Sequence, residues 1–383
     1  MNLIGAYKNG NYNVFIFDDG TKIIKTDEKE FIPDRLESVD MKITNMCDMG
    51  CPMCHEMSTP NGKHGNINHK IIDTFLPYTE IAIGGGNPLS HPELDVLLQK
   101  LKDLKCFANI TVNQTHFLKN FDRIKNLADR KLINGIGVSL NNVNEEVAEK
   151  MKELPNSVAH TIAGITTLED MEKMSKLGIK KILILGYKIF GRGKDFYNDK
   201  IALNVKKLRD RLEETMGMFD VVSFDNLAIH QLDVKFTVGE EKWEECYMGD
   251  DGSSTMYIDL VEEKYAKNST SVTRFDFLDT VNDMFLDIRN RKNNSKEDKY
   301  MFDVGDKVIV SNIGEVGTVV RVDKPQPNYL IKFDDPRYTT CTYYESELEQ
   351  VTLNSADDDT ETTTEDKDEN QISLFDSEGE KSE

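Results

Sequence analysis

Three cysteines, Cys47, Cys51 and Cys54, stand in one eight-residue stretch, Cys-Asp-Met-Gly-Cys-Pro-Met-Cys. Gly50 and Pro52 make the stretch a loop and not a helix. Three thiolates so close repel one another unless a cation or a cluster neutralises them. Iron–sulfur clusters are held by cysteine thiolates, four as a rule. A cubane held by three leaves one iron open to a non-protein ligand. Two other readings stay open on these residues: a zinc site that adds His55 or another residue, and unligated thiols. A structural zinc site usually takes its ligands as two separated pairs, and no second C-x2-C exists here. Cys106, Cys246 and Cys341 stand alone and are expected to be ordinary small hydrophobes, with no auxiliary cluster.

The elements that must position this loop are legible around it. An apolar-alternating run at 39–43 reads as a strand ending just before Cys47. Further β-branched runs at 80–83, 107–112, 135–140, 158–162, 181–185 and 221–224 alternate with helical periodicity at 92–104, 121–132, 145–154, 167–177 and 200–216. Repeated β then α at this spacing implies an α/β domain with parallel strands and right-handed crossovers. The cysteine loop, Gly84-Gly85-Gly86-Asn87, Asn113 to His116 and Ser139 to Asn142 all fall at the C-terminal ends of predicted strands. That places them together at one end of the sheet.

The cysteine spacing resembles the C-x3-C-x-Φ-C signature of the radical S-adenosylmethionine (radical SAM) enzymes, with Met53 at the usually aromatic position. Gly84-Gly85-Gly86-Asn87-Pro88 resembles that family's Gly-Gly-Glu-Pro segment, with Gly86 and Asn87 where the Glu is usual. The resemblance covers about residues 39–259. It implies a partial (β/α) barrel, a [4Fe–4S] cluster on Cys47, Cys51 and Cys54, and S-adenosylmethionine (SAM) held by Gly84, Gly85, Gly86 and Asn87. By position after the fourth strand, Ser139 and Asn141 become candidates for the ribose or carboxylate of SAM; helix capping by Asn142 or Asn144 is the alternative. It implies a one-electron reductant of flavodoxin or ferredoxin type. In this chemistry the reduced cluster cleaves SAM to methionine and a hydrogen-abstracting radical. No catalytic side chain and no substrate can be read from the sequence. Asn113 and His116 suit either a substrate contact or a solvated loop, and His160 suits a structural role inside a strand. Gly186 to Asp195, with Lys188, Arg192 and Lys194, suits a cationic clamp on a carboxylate or phosphate.

The chain has 383 residues and a formal net charge of −21, which argues against a general nucleic-acid coat. No apolar run is long enough for a membrane span, the N-terminus lacks a signal-peptide pattern, and six cysteines with three in one loop are no disulfide framework. The expected location is the reducing cytoplasm. Residues 1–37 read as a β-hairpin extension around Asp18-Asp19-Gly20, 38–289 as the main domain with a helix over 270–288, and 290–300 as a linker. Residues 301–352 alternate short strands with Gly turns and resemble SH3-like and KOW-type β modules. Residues 353–383 carry twelve acidic and two basic side chains, −10, leaving −11 for the rest; this composition predicts a disordered acidic tail. Its one apolar cluster, Gln371-Ile372-Ser373-Leu374-Phe375, resembles the peptide by which bacterial repair and replication proteins dock on the sliding clamp, with Gln371, Leu374 and Phe375 as contacts. The eighteen residues 353–370 before it would span roughly 20–25 Å as a flexible leash. The competing functions are a radical SAM enzyme, a non-catalytic clamp- or nucleic-acid-associated adaptor, and a zinc-stabilised binding protein.

Overall fold

The computed structural model describes residues 2–294, 302–310, 315–323, 328–337, 341–344 and 348–351. The acidic tail and the clamp-like peptide 371–375 lie outside the described residues. The chain divides into two compact units, one running to residue 301 together with 323–327, the other made of 302–322 and residues from 328 onward.

The first unit opens with three strands, β1 (Leu3–Asn9), β2 (Tyr12–Phe17) and β3 (Lys22–Lys25), paired antiparallel in chain order. The expected hairpin is β2 and β3; β1 precedes it. Tyr12, Val14 and Ile16 form its small core.

The main sheet has ten strands. They are β4 (Ser38–Thr44), β5 (Glu80–Gly85), β6 (Phe107–Asn113), β7 (Gly135–Ser139), β8 (Ser157–Ile162), β9 (Lys181–Leu185), β10 (Val221–Phe224), β11 (Thr255–Asp259), β12 (Lys264–Ala266) and β13 (Phe275–Asp276). Their order is β10-β9-β8-β7-β6-β5-β4-β11-β12-β13. From β4 to β10 every neighbour is parallel, as the alternation of elements requires, and β11 adds a further parallel pair on β4. β12 and β13 are antiparallel additions.

Side chains alternate across the strands. Val39, Met41, Ile43, Ile81, Ile83, Ile110, Val138 and Ile182 point to one face and share a single buried cluster with helices such as Leu94–Asp103, Phe121–Asp129 and Glu145–Lys152. The alternate positions, among them Asp40, Lys42, Gly84, Asn109, Thr111, Ser139, His160 and Tyr257, put polar groups on the opposite face.

Two elements differ from expectation. The segment read as helix over 270–288 is helical only from Val281 (Val281–Asn294), because Phe275 and Asp276 pair with Tyr265 and Lys264 instead. That helix also runs into the stretch read as a linker from residue 290. Residues 226–246, which show no clear pattern, form three short helices, Asn226–Gln231, Val234–Val238 and Glu240–Cys246.

The second unit is a five-stranded sheet of β14 (Lys307–Val310), β15 (Glu315–Asp323), β16 (Asn328–Phe333), β17 (Cys341–Tyr344) and β18 (Leu348–Gln350), in the order β17-β16-β15-β14-β18. Phe302, Val308, Val310, Val319, Tyr329 and Ile331 are buried in it.

Candidate functional site

β4 ends at Thr44 and the cysteine loop begins at once. Thr44 Oγ1 accepts from the Met46 N–H at 2.9 Å, the Cys47 N–H donates to Thr59 O at 2.9 Å, and Asn45 and Thr59 are bonded across the loop's neck. The loop is therefore a closed excursion from the strand end. Cys47, Cys51 and Cys54 are all partly exposed. Burial pushes the Cys47 and Cys51 thiols up, and for Cys51 the other two sulfurs add to the rise. The loop thus disfavours bare thiolates and is eased by a cationic centre.

The three sulfurs do not all lie within 4.8 Å of one another. Among the described residues, the one group of three ligating side chains whose donor atoms all lie within 4.8 Å of one another is Cys47, Asp48 and His116. Three thiolates on a single tetrahedral zinc, with Zn–S near 2.3 Å, would stand about 3.8 Å apart. The donor set of three thiols without a fourth protein thiolate on the loop fits a cluster that keeps one iron open. His116, buried, binds Asp48 Oδ1 through Nε2 at 2.6 Å, so it braces the loop from β6's following helix.

The Gly84–Asn87 segment runs beside this loop. The Gly86 N–H donates to Thr44 O and the Asn87 N–H to Met46 O, both at 2.7 Å. A Cβ at Gly86 would fall 2.3 Å from Met46 O, and one at Gly85, whose φ is +103°, would fall 2.5 Å from Thr44 O. These two glycines serve the close approach of the two loops. Gly84, by contrast, faces open space, with nothing within 4 Å of its Cβ position. Asn87 Oδ1 accepts from the Leu89 N–H at 3.2 Å and caps the short turn after it.

Ser139 ends β7 on the polar face. Asn141 is exposed; its N–H and that of Asn142 donate to Gln114 Oε1, while Gln114 Nε2 donates back to Asn142 O at 2.6 Å. Asn144, not Asn142, caps the following helix. Asn113 caps its own helix through Thr115. His160 lies over Gly137, where any Cβ would strike its ring at 2.2 Å, and burial lowers its imidazole to about 4, so it is neutral at pH 7. Cys106 is buried with its thiol pushed up to about 12 by burial, and Cys246 is exposed at a helix end, away from the loop in sequence.

Several residues that sequence reasoning passed over hold the loop in place. Lys42 Nζ is buried between Glu56 (2.9 Å) and Asp259 (3.2 Å), and Asp259 also pairs with Arg274 at 3.1 Å. Burial alone would raise the Glu56 carboxyl; its hydrogen bond to His55 and the Lys42 ammonium outweigh that and hold it below the usual range. The Tyr257 hydroxyl donates to Glu56 at 3.3 Å. The loop's far end is therefore anchored to β4 and β11 by a charge-balanced cluster.

Within the Gly186–Asp195 stretch, Arg192 is not a free cation. Arg192 donates from Nε to Cys51 O (3.2 Å), from Nη1 to Ser58 O (3.1 Å), and from its backbone to Cys54 O (3.2 Å). The glycines serve this docking: a Cβ at Gly191 would lie 2.4 Å from His55 O.

With this geometry in hand, comparison with known families finds a match over residues 41–191 to the model of the Radical SAM superfamily. No curated protein matches the chain. Among solved structures, Streptococcus suis SuiB bound to precursor peptide SuiA is 14% identical, with 67% of each chain covered and a TM-score of 0.49. SuiB bound to S-adenosylmethionine is 14% identical over 69% of this chain and 67% of that one, with a TM-score of 0.47. The Escherichia coli coproporphyrinogen III oxidase HemN, described as a radical SAM enzyme, is 13% identical over 47% of this chain and 53% of that one, with a TM-score of 0.36. The stretch that holds the cysteine loop and its glycine neighbour is thus the stretch that matches the Radical SAM superfamily model, residues 41–191, and the clamping Arg192 directly follows it.

Proposed function

We propose that this chain is a radical SAM enzyme whose [4Fe–4S] cluster is held by Cys47, Cys51 and Cys54. The observation that carries the reading is the junction of two loops at the ends of β4 and β5: a three-thiol loop whose root is hydrogen-bonded by Gly86 and Asn87, with Gly84 open beside it. Bound there, the cluster supplies the electron for reductive cleavage of SAM and so the hydrogen-abstracting chemistry.

The chain's own residues bind and position. Arg192, the Asp48–His116 pair and the Lys42–Glu56–Asp259–Arg274 cluster fix the thiol loop from three sides. Gly84 offers backbone without a side chain where the methionine part of SAM would lie. Asn87 keeps its amide N–H2 for an acceptor, because its Oδ1 is committed to Leu89. Ser139 and Asn141, at the end of β7, complete the proposed SAM contacts. In this reading the ten-stranded sheet is the wall of a partial barrel, its polar face turned to substrate, the second unit is an SH3-like module, and a flavodoxin or ferredoxin type protein is the electron donor. The peptide 371–375 supports a further tether to a bacterial sliding clamp, which an Asn370-to-Asp376 peptide and its Leu374→Ala/Phe375→Ala version test by direct binding; equal or absent binding of both removes it.

The experiment is anaerobic reconstitution, iron and sulfide analysis, then incubation with SAM and dithionite. The expected product is 5′-deoxyadenosine with methionine, absent from a Cys51→Ala variant. Zinc in place of iron, or no 5′-deoxyadenosine from iron-loaded protein, overturns the reading.

A further inference from the structure

On the polar face of the sheet, a cavity of about 70 Å³ opens between β4, the turn after β10, the loop before β11 and the turn after β12. Its wall includes Asp40, Lys188, Asp225, Asp251, Asn226 and Asn268. It adjoins the cysteine loop: Lys188 Nζ donates to Ser269 Oγ at 3.0 Å on one side and stands 3.5 Å from His55 Nε2 on the other.

The wall's charges are unequal in their commitments. Asp251 accepts from the Asn226 and Asn268 amides at 2.7 and 2.8 Å. Asp225 accepts from the Gly186 and Ala228 N–H groups, both at 2.8 Å. Asp40 has no hydrogen-bond or ion-pair partner among the described residues, and it stays open to solvent. Three carboxylates against one ammonium leave the lining at −2. Surrounding protein raises the Asp40 carboxyl to about 6, the nearby Lys188 offsetting part of the rise. A solvent-open carboxylate in this wall without a protein donor is the natural seat for a donor brought by a ligand.

We propose that this cavity selects a substrate carrying a protonated amine or guanidinium, which docks on Asp40. The proposal rests on the radical SAM reading for what happens next to that group, but not for the binding itself. Charge decides the sign: an ammonium or guanidinium meets net −2 and an unpaired acceptor, whereas an anionic substrate would meet one partly engaged lysine. Lys188 then acts as a discriminator, repelling a second cation and limiting where the amine can sit.

The test is saturation-transfer NMR and calorimetry on the full chain without SAM, with agmatine as the cationic probe and glutarate as the anionic one. Agmatine is expected to bind and glutarate not. Asp40→Asn should weaken agmatine at least tenfold, Asp40→Glu should retain it, and Lys188→Met should tighten it. A purely structural role for Lys188 would not give that last result. Circular dichroism and melting temperature confirm that the variants fold. No agmatine signal, agmatine binding unchanged in Asp40→Asn, or glutarate binding that Lys188→Met abolishes each overturns the proposal. Because neither probe needs iron or SAM, failure of the radical SAM reading appears separately, as missing iron or missing 5′-deoxyadenosine.

Discussion

Lys42→Met is the most informative single change. Lys42 is buried at the centre of four charges that sum to zero, Lys42 and Arg274 against Glu56 and Asp259. Removing it leaves Asp259 provided for, since Arg274 remains at 3.1 Å and the Val261 and Glu262 N–H groups donate at 2.9 and 3.1 Å. Glu56 keeps only the Tyr257 hydroxyl and His55. One buried carboxylate is therefore left without its cation, not two. Breaking a buried pair by removing one partner costs 3–5 kcal/mol as a rule, and the single orphan places this case near the lower bound, about 3 kcal/mol. For a unit of about 300 residues that is a fall of roughly 5 °C in melting temperature. Lys42→Met/Glu56→Gln removes the orphan charge and should recover about 2 kcal/mol of the loss, so the two changes couple strongly. Glu56 follows Cys54 by two residues, so iron retention after desalting should track the same order: parent, double variant, Lys42→Met. The assay is reversible denaturant unfolding of the apo-protein beside iron analysis of the reconstituted one. A Lys42→Met protein within 1 kcal/mol of the parent, or a double variant no more stable than the single, refutes the argument that this cluster anchors the loop.

Replacing Cys47, Cys51 or Cys54 by Ala should each abolish iron loading, while Cys106→Ala, Cys246→Ala and Cys341→Ala load as the parent does; equal loss on Cys246→Ala sinks the assignment. Gly84→Val should leave the melting temperature unchanged, its Cβ meeting nothing, yet abolish SAM cleavage, whereas Gly86→Ala should lower stability by driving a methyl onto Met46 O. Cleavage at the parent rate in Gly84→Val removes Gly84 from the SAM site. Asp40→Asn should stabilise the free protein at pH 7–8. A carboxyl raised in the folded state costs stability once pH exceeds about 6 and costs none below its unfolded value, so the gain should vanish on acidification through that window; a gain that persists at pH 3 contradicts the assignment to Asp40. His160→Gln should lessen acid destabilisation between pH 6.5 and 4, because an imidazole lowered to about 4 favours folding only while it is neutral, and unfolding measured across that range decides it.

What the sequence made legible was whatever depends on neighbours along the chain. The thiol spacing, the glycines after β5 and the β-branched runs are local patterns, and the order of parallel strands follows from them. What stayed hidden depends on partners far away. Arg192 reads as a free cation until its guanidinium is found on carbonyls of a loop 141 residues earlier, and Tyr257 reads as a strand residue until its hydroxyl is found on Glu56 at a separation of 201. The helix expected over 270–288 failed for the same reason: Phe275 and Tyr265 are drawn into the sheet edge by each other, which no local propensity records. Glycine shows the limit in the other direction. Gly84, Gly85 and Gly86 are identical in sequence terms, yet two of them make room for the backbone at 44–46 and one makes room for nothing in the chain. Where a residue without a side chain faces space that no other part of the protein fills, packing gives no reason for the glycine, and the space itself becomes the argument for a ligand there. The same reasoning applies to Asp40, for its unpaired charge has no use in holding the fold and a clear one in meeting something that arrives from outside.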